Sequence, residues 1–357
     1  MTLILSNKDV EQLLSMHECI DALEIGYREL AAGRGVARTR SDCIVPTAQA
    51  DTHYSLKSMD GVIPKLGIGA VRIDSDIVSM PKVGNNIRRV KVPAAPNNRY
   101  VGLVLLFSAE NGEPLAILPD GVMQRMRVGG TSGLGVKYMA RADAKTVGLL
   151  GAGWQAGAQL MAVCAVRDVE TIRCFSPRKE SREAFCQEMS KRLDREVVPV
   201  DQPEAAISDA DIVLCATNSE DAIFFANWIR PGMHLSSIKK PELERAAIRR
   251  ADRVIIHARD NRPIVELSTE LPDSVLQAEG KRWPDAEDPD FKFPTLPDVI
   301  AGSIKGREND DEVTCFLNYL GLGYQFAAAG SVVIRKAREL GVGTELPTDW
   351  FTEDEHP

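Results

Sequence analysis

Short apolar runs alternate with helically spaced segments through the middle of the chain. The apolar runs lie at residues 147–150, 171–175, 197–200, 212–216, 233–238 and 253–257. Their lengths are typical of strands, and the wholly apolar run at 212–216 is expected in a parallel sheet that is covered on both faces. Segments 178–193 and 242–250 have helical spacing. We therefore predict an α/β fold built on a Rossmann-type doubly wound parallel sheet.

The pattern differs in the N-terminal third of the chain. Residues 8–33 have the spacing of one or two amphipathic helices. From residue 41 to residue 80, short apolar alternations are interrupted by Gly and Pro. Two further alternating runs lie on either side of Asn111-Gly112, a pair typical of a β-hairpin turn. These features predict a second, α+β domain with a mostly antiparallel sheet.

Two helical segments connect these parts. A long helix rich in small residues is predicted at 121–141, and residues 310–340 are predicted to be helical and to return to the first domain. Residues 268–297 are dense in Pro, Asp and Glu and are predicted to form an irregular surface excursion. The predicted domains are residues 1–128 with 312–357, and residues 129–311.

A glycine turn follows the first of the central strands. Gly151 can make a tight turn, Gly153 lets a ligand approach the backbone, and Ala156 stands where the next helix must pack on the strand. The N-terminus of that helix offers free N–H groups and a partial positive charge. The turn therefore predicts a site for the pyrophosphate of a dinucleotide. The candidate binding residues are Gly151, Ala152, Gly153, Trp154 and Gln155.

The end of the second central strand bears on which dinucleotide binds. An acidic residue there bonds the ribose 2′-hydroxyl of NAD, whereas a cation receives the 2′-phosphate of NADP. Here Ser176 is followed by Arg178 and Lys179, with no acid before Glu180. We therefore predict that NADP(H) is preferred over NAD(H). The alternative is that both cations form a solvated helix start, although cations are unfavourable at a helix N-terminus.

Two polar pairs are further candidates for cofactor contacts. Thr217 and Asn218 directly follow an apolar strand, so they lie at the carboxyl edge of the predicted sheet, where open α/β folds bind ligands. Thr131 and Ser132 can add hydroxyl contacts to a cofactor phosphate. Close packing of a small-residue helix against the sheet explains the glycines around them equally well.

Composition excludes several other classes of protein. The net charge of −8 argues against nucleic-acid binding. No apolar run approaches the ~20 residues of a membrane span, and the first residues lack the form of a signal peptide, so a cytoplasmic protein without a membrane partner is expected. The seven cysteines form no C-x-x-C pair and the five histidines show no metal-ligand spacing. We predict buried free thiols and no metal site.

Several motifs resemble one family along nearly the whole chain. They are LGIGAVR at 66–72, NGEPL at 111–115, MRVGGTS at 126–132, GAGWQ at 151–155 and PGMHL at 231–235. The chain resembles the ornithine cyclodeaminase and mu-crystallin family, which includes cyclodeaminases, ketimine reductases, amino-acid dehydrogenases and opine-type synthases. The resemblance implies a homodimer that is joined through the antiparallel sheet of the substrate-binding domain.

The resemblance also implies three substrate-binding arginines. Arg127 matches an arginine that grips the substrate carboxylate, a task suited to a planar guanidinium. Arg40 lies near the position of a second family arginine, although Arg38 could be the true match. Arg72 replaces a lysine that reaches the carboxylate or the reacting nitrogen in many members. An arginine can bind an anion but cannot readily shuttle a proton near neutral pH. Each of these arginines could instead form a surface ion pair.

Two departures from the family pattern bear on the reaction. Cyclodeaminases carry an aspartate after the Pro-Gly-x-His strand, whereas this chain has Lys239 and Lys240 and no carboxylate before Glu242. Ornithine cyclisation is therefore disfavoured, although both lysines could be solvated loop charges. Near the C-terminus, an aspartate often precedes an alanine-rich helix in the family; this chain has Tyr324-Gln325-Phe326 there.

We predict an NADP-dependent reductase of imines, a ketimine or imino acid reductase or an amino-acid dehydrogenase. It would transfer hydride at a carbon next to a carboxylate of a small amine or imine substrate. Arg72 and Lys240 are the candidate catalytic residues. An ordered water and His53 are further candidates for the proton donor. The alternatives are a cyclodeaminase that uses NAD and a non-catalytic dinucleotide-binding accessory subunit.

Overall fold

The computed structural model describes residues 1–49, 51–83, 86–87, 90–219, 221–259, 263–281, 292–319 and 321–355. Its strands are β1 (Thr2–Ile4), β2 (Val36–Ala37), β3 (Ser41–Pro46), β4 (Thr52–Ile63), β5 (Ile68–Ser79), β6 (Lys82–Val83), β7 (Asn86–Ile87), β8 (Val90–Val92), β9 (Val101–Ser108), β10 (Pro114–Pro119), β11 (Thr146–Leu150), β12 (Thr171–Phe175), β13 (Val198–Pro199), β14 (Ile212–Cys215), β15 (His234–Ser237), β16 (Arg253–Ile256), β17 (Ile264–Leu267), β18 (Thr314–Leu317) and β19 (Thr344–Leu346). Its helices are α1 (Asn7–Leu13), α2 (Met16–Ala31), α3 (Asp120–Met139), α4 (Trp154–Val166), α5 (Lys179–Leu193), α6 (Pro203–Ile207), α7 (Arg245–Arg250), α8 (Asp273–Lys281), α9 (Leu296–Ile300) and α10 (Tyr324–Leu340).

The central strands form a seven-stranded parallel sheet in the order β13-β12-β11-β14-β15-β18-β16. Separate apolar clusters cover its two faces, one including α4 and α5 and the other α6 and α7. The strand order reverses between β11 and β14, where α/β folds open a ligand crevice. The predicted Rossmann-type doubly wound sheet is confirmed.

A second, ten-stranded sheet is mostly antiparallel and has the main order β17-β3-β4-β5-β9-β10-β1-β19. Along β4 and β5, buried side chains alternate with partly exposed ones, so the sheet has an inner and an outer face. Helices α2, α3 and α10 pack on the inner face and form the largest apolar cluster with it. The predicted second, mostly antiparallel sheet is therefore present.

Two predictions near the C-terminus are wrong. Residues 310–340 are not helical throughout, because β18 lies within this segment. β18 pairs with β15 and β16, so it belongs to the seven-stranded sheet and not with the 312–357 part of the other domain. Its four side chains are all buried, and a short apolar run beside a long helix has no periodicity of its own to identify it.

The segment 268–297 is also not an irregular excursion where the structure describes it. α8 lies within it, and the preceding β17 pairs in parallel with β3 at the edge of the ten-stranded sheet. Leu271 and Val275 pack there on Ile44. This part of the predicted 129–311 domain therefore belongs to the other sheet, whereas residues 282–291 lie outside the described residues.

Three expectations from composition concern membrane spans, metal sites and cysteines. Within the described ranges, no helix has both the length and the apolar composition needed to cross a membrane. The described residues also contain no group of three or more His, Cys, Asp or Glu side chains that could hold a metal ion, and one of the five histidines, His356, lies outside them. Five of the seven cysteines are buried free thiols, Cys164 is half-buried and Cys43 is exposed.

Candidate active site

The glycine turn lies between β11 and α4, as the sequence predicts. Gly151 has a φ of 127°, a left-handed conformation that favours glycine. Gly153 is the N-cap of α4, no side chain caps the helix, and a β-carbon on Gly153 would meet nothing within 4 Å. The buried Oε1 of Gln155 accepts no hydrogen bond from the described residues. Open space and uncapped N–H groups at this turn fit a dinucleotide pyrophosphate.

Trp154 is the first residue of α4 and lies on the rim of this turn. Its side chain is exposed, and the guanidinium of Arg125 lies 4.0 Å from the ring centroid. Arg125 itself is buried, and burial lowers its pKa. The stacked pair therefore holds the indole beside the turn.

The cations predicted to read the 2′-position lie at the end of β12. Arg178 is the N-cap of α5 and is exposed, and Lys179 is exposed with its Nζ 3.9 Å from Glu183. The carbonyl of Ser176 accepts a hydrogen bond from Arg182 at 2.8 Å. The backbone N–H of Gly151 donates to the carbonyl of Phe175 at 2.8 Å, so the end of β12 adjoins the glycine turn. The predicted cofactor residues of both segments are thus neighbours.

Glu242 organises the loops that follow β14 and β15, a role the sequence did not reveal. Its side chain is fully buried and accepts hydrogen bonds from Thr217 Oγ1 at 2.9 Å and Ser237 Oγ at 2.8 Å. Backbone N–H groups of Thr217, Ile238 and Lys239 also donate to it. Burial raises the pKa of Glu242, while the hydrogen bonds from Thr217 and Ser237 oppose that shift. This carboxylate therefore links the two loops, and both of its oxygens accept hydrogen bonds from them.

The same loops separate the two neighbouring lysines. Lys239 Nζ donates to the carbonyls of Asn218 at 3.2 Å and Ser219 at 2.8 Å, so it holds the loop after β14. Lys240 Nζ instead lies 5.8 Å from the ring centroid of Tyr319, which follows β18. Of these two lysines, Lys240 is the one that lies toward β18 at the carboxyl edge of the sheet.

The cofactor role predicted for Thr131 and Ser132 is contradicted by their positions. Thr131 is fully buried, and its hydroxyl donates to the carbonyl of Arg127 at 2.8 Å and accepts from Gln325 Nε2 at 2.6 Å. Ser132 is fully buried and accepts from Asn318 Nδ2 at 2.9 Å. Both hydroxyls therefore join α3 to neighbouring segments, which agrees with the alternative of close helix packing.

Arg127 is buried in α3 and is surrounded by neutral hydrogen-bonding groups. Its Nε and Nη2 donate to Gln124 Oε1 at 3.1 and 2.6 Å, and its Nη1 donates to Gln325 Oε1 at 3.0 Å. The ring centroid of Phe326 lies 5.1 Å from the guanidinium carbon. Burial lowers the pKa of Arg127 to about 9, and nearby Arg72 acts in the same direction. Such a site is stabilised by an added anion.

Arg72 is buried on the inner face of β5 and is held by carboxylates. Its Nε donates to Asp120 at the start of α3 at 2.7 Å, and its Nη2 lies 3.3 Å from Asp74. Lys57 Nζ on the neighbouring strand lies 3.4 Å from the same oxygen of Asp74 and also pairs with Asp76. Arg72 therefore belongs to a buried network of paired charges.

The structure distinguishes the two N-terminal arginines. Arg40 pairs with the buried Asp42 through Nε and Nη2, both at 2.6 Å, and is close enough to influence the pKa of Arg127. Arg38 is exposed and pairs with Asp60 at 3.0 Å. Of the two, Arg40 is therefore the one placed with the other predicted substrate arginines.

His53, a further candidate proton donor, lies away from this group. In the pairing of β4 with β5, His53 is opposite Val78 and Met59 is opposite Arg72. Six residues along a strand correspond to roughly 20 Å. His53 Nε2 faces Glu279 of α8 at 3.6 Å. The prediction that His53 could donate the proton is wrong in this geometry.

The candidate residues form two groups. The glycine turn, the end of β12 and the loops held by Glu242 lie at the carboxyl edge of the parallel sheet. Arg127 and Arg72 project from α3 and β5, and α3 packs against α4.

A model of the family described as ornithine cyclodeaminase/mu-crystallin matches residues 1–340. The chain belongs to the ornithine cyclodeaminase/mu-crystallin family.

Individual members of this family resemble the chain over nearly its full length. A Δ1-pyrroline-2-carboxylate reductase of Bacillus cereus is 26% identical, with 96% of this chain and 99% of the relative covered. The same enzyme of Thermococcus litoralis, solved in complex with NADH and L-proline, is 27% identical with a TM-score of 0.76, and covers 97% of this chain and 100% of its own. An archaeal alanine dehydrogenase dimer with bound NAD is 25% identical with a TM-score of 0.74, and covers 97% of this chain and 99% of its own.

These comparisons confirm the predicted family. They also confirm the prediction that the protein is an NAD(P)-dependent oxidoreductase. The names of these relatives describe oxidoreductases of imine or amine carbons, and two of the structures hold NADH or NAD.

Proposed function

We propose that this family member is an NAD(P)H-dependent reductase of small imino acids in which the C=N carbon adjoins a carboxylate. The observation that carries the proposal is the hydrogen bonding of the buried Arg127 side chain. Among the described residues its hydrogen-bond partners are two neutral amides, Gln124 and Gln325. A guanidinium has five N–H groups, so one N–H on each terminal nitrogen is left for a bidentate carboxylate.

The two other candidate substrate arginines already have carboxylate partners. Arg40 pairs with Asp42, and Arg72 pairs with Asp120 and Asp74. The charge balance therefore favours a substrate with a single carboxylate over one with two. The named activity of the Bacillus cereus relative, reduction of Δ1-pyrroline-2-carboxylate, falls in this class and makes cyclic imino acids the first candidates.

The dinucleotide would lie across the carboxyl edge of the parallel sheet. Its pyrophosphate would face the N–H groups of α4, bordered by Gly151, Gly153 and Trp154. We propose a preference for NADP(H), because Arg178 and Lys179 are exposed at the end of β12, where a 2′-phosphate would lie.

The nicotinamide supplies the hydride when it is bound. Arg127 would hold the substrate carboxylate and so fix the distance and face of the imine carbon. Arg72, which is held by Asp120 and Asp74, would contribute a hydrogen-bond donor without exchanging a proton. Lys240 would keep the imine nitrogen protonated, because an iminium accepts hydride more readily than a neutral imine. Asp120 and Gln124 thus act through the arginines that they orient.

We also propose a homodimer in which two copies bury the outer face of the ten-stranded sheet. Several large apolar side chains on this face are exposed, namely Val45, Leu56, Val62, Val101 and Leu103. Exposed large apolar side chains that share one sheet face are typical of an interface. The archaeal alanine dehydrogenase, which is a dimer, supports the proposal.

The test is the consumption of NADPH and of NADH with a panel of substrates. The panel contains cyclic imino acids, and 2-oxo acids paired with ammonia, methylamine or amino acids. We expect turnover of carboxylated imines with a preference for NADPH. Tight dinucleotide binding without turnover of any panel member would contradict the proposal and favour a binding or accessory role.

A further inference from the structure

Gln325 joins three helices through a fully satisfied side-chain amide. It is the second residue of α10 and is completely buried. Its Oε1 accepts from Arg127 Nη1 at 3.0 Å and from the backbone N–H of Leu322 at 2.9 Å. Its Nε2 donates to Thr131 Oγ1 at 2.6 Å and to Tyr27 Oη at 3.1 Å. An amide has two acceptor sites and two donors, so all four are used.

The donors fix which way the amide faces. Thr131 Oγ1 already donates to the carbonyl of Arg127, so it receives the hydrogen bond from Gln325 as an acceptor. The amide nitrogen must therefore face Thr131 and Tyr27, and the amide oxygen must face Arg127. The guanidinium is oriented by an uncharged acceptor at this position.

The space around Arg127 leaves little freedom for another arrangement. A β-carbon on Gly321 would overlap the guanidinium, so the loop before α10 lies directly against it. The ring of Phe326 covers a further side at 5.1 Å. Gln124 occupies Nε and Nη2 from within α3. The direction of the two remaining N–H groups is thus set by two amides and the packing around them.

We propose that Gln325 is a positioning residue that makes the pocket selective for a carboxylate, by orienting Arg127 with a neutral amide that leaves its charge uncompensated. This inference rests on the proposed function, in which Arg127 binds the substrate carboxylate. A carboxylate in place of the amide would form an internal ion pair with Arg127 and compete with the ligand. The ligand class selected is a planar imine with a carboxylate, in preference to the corresponding amide or ester.

The experiment compares two stable planar probes, pyrrole-2-carboxylate and pyrrole-2-carboxamide. Their affinities are measured by calorimetry on the full-length protein saturated with reduced dinucleotide. We expect the wild-type protein to prefer the carboxylate by about 10-fold or more, the scale of one charge-assisted hydrogen bond. In Gln325→Glu we expect this preference to fall below about 3-fold, with dinucleotide affinity unchanged.

Gln325→Glu is nearly isosteric, and the hydroxyls of Thr131 and Tyr27 can rotate to donate to the new carboxylate. The matched control is Gln187→Glu, which makes the same change at an exposed position of α5 and should keep the wild-type preference. If Gln325→Glu does not fold, the same comparison of the two probes is made with Gln325→Met. This variant removes the acceptor that orients Arg127, so its preference for the carboxylate should also fall below about 3-fold, with dinucleotide affinity unchanged.

The outcomes separate the inference from the function on which it rests. A wild-type protein that binds both probes equally would refute the carboxylate role of Arg127 and hence the proposed function. A wild-type preference that survives in Gln325→Glu would overturn the role of Gln325 alone. Full retention of the preference in Gln325→Met would also overturn it, because Arg127 would then be oriented without the amide.

Discussion

Gly151 lies directly against the carbonyl of Ala216, so that a β-carbon on Gly151 would overlap that oxygen. This contact joins the end of β11 to the end of β14, the two strands between which the order of the parallel sheet reverses. The turn that faces the proposed pyrophosphate is therefore fixed by both strands, and its shape depends on the absence of a side chain.

We expect Gly151→Ala to destabilise the fold by about 1–3 kcal/mol, because it adds both the overlap and a strained positive φ. Gly153→Ala is the matched variant, since its β-carbon would meet no protein atom. It should leave the unfolding free energy unchanged and weaken dinucleotide binding, because the methyl group would enter the proposed pyrophosphate space. Urea unfolding and calorimetric titration with NADPH measure the two effects. Unchanged affinity in Gly153→Ala would place the pyrophosphate elsewhere.

Arg178→Glu should weaken NADPH binding by on the order of 2 kcal/mol or more, the scale of a lost charged hydrogen bond plus repulsion. NADH affinity should change much less, because NADH has no 2′-phosphate. Lys191→Glu reverses a charge at the other end of α5 and serves as the control. Equal affinity of wild type and Arg178→Glu for NADPH would remove this arginine from the cofactor site.

Lys240→Met should lower kcat by about 100-fold or more, the usual contribution of a general acid, with little change in dinucleotide affinity. The neighbouring variant Lys239→Met should show the opposite pattern, because Lys239 holds the Asn218 loop. It should raise the KM for the dinucleotide and leave kcat nearly unchanged. A normal kcat in Lys240→Met would leave an ordered water as the proton source.

Acid should destabilise the fold through His234. This side chain is fully buried, its Nδ1 lies 2.9 Å from Thr314 Oγ1, and burial lowers its pKa from 6.5 to about 3. Below pH 6.5 the unfolded chain takes up a proton that the folded protein refuses, so stability falls by about 1.4 kcal/mol per pH unit until about pH 3. Urea unfolding should therefore give roughly 2 kcal/mol less stability at pH 5 than at pH 7 from this group. His234→Asn should lack this loss; the same pH dependence in both proteins would contradict the assignment.

Leu103→Asp should convert the proposed homodimer into monomers, because it places a charge in the apolar outer face of the ten-stranded sheet. Leu103 is 39% exposed in a single chain, so the substitution should not disturb the core. Leu340→Asp, at a 65% exposed position in the last turn of α10, should leave the assembly unchanged. Light scattering after size-exclusion chromatography gives the masses. A Leu103→Asp protein that remains dimeric would locate the interface on another surface.

The sequence predicted those features that depend on local pattern. The glycine turn, the strand before it and α4 follow from adjacent residues, since a tight turn needs Gly151 and the strand needs only its own apolar run. The same holds for α3 and for the hairpin of β9 and β10. In contrast, β18 was missed, because four buried residues become a strand only when β15 and β16 lie beside them.

Some residues of the candidate site could be identified from local motifs, and others only from the structure. Arg127 and the exposed cations at 178 and 179 could be identified from their positions in motifs. The role of Glu242 could not, because its side-chain donors are Thr217 after β14 and Ser237 at the end of β15, which lie 25 and 5 residues away along the chain. Nor could Thr131 be separated from a cofactor contact until the structure brought Gln325, 194 residues later, against its hydroxyl.

The sequence by itself therefore determined the fold class and the place of the glycine turn, because these depend on periodicity and on spacing between near neighbours. Its motifs also identified the family by resemblance. Only the tertiary structure decided which cations are already neutralised, which lysine lies toward β18 and which amide orients Arg127. Hydrogen bonds and ion pairs act over a few ångströms in space, and the residues that share them here come from segments far apart in the chain.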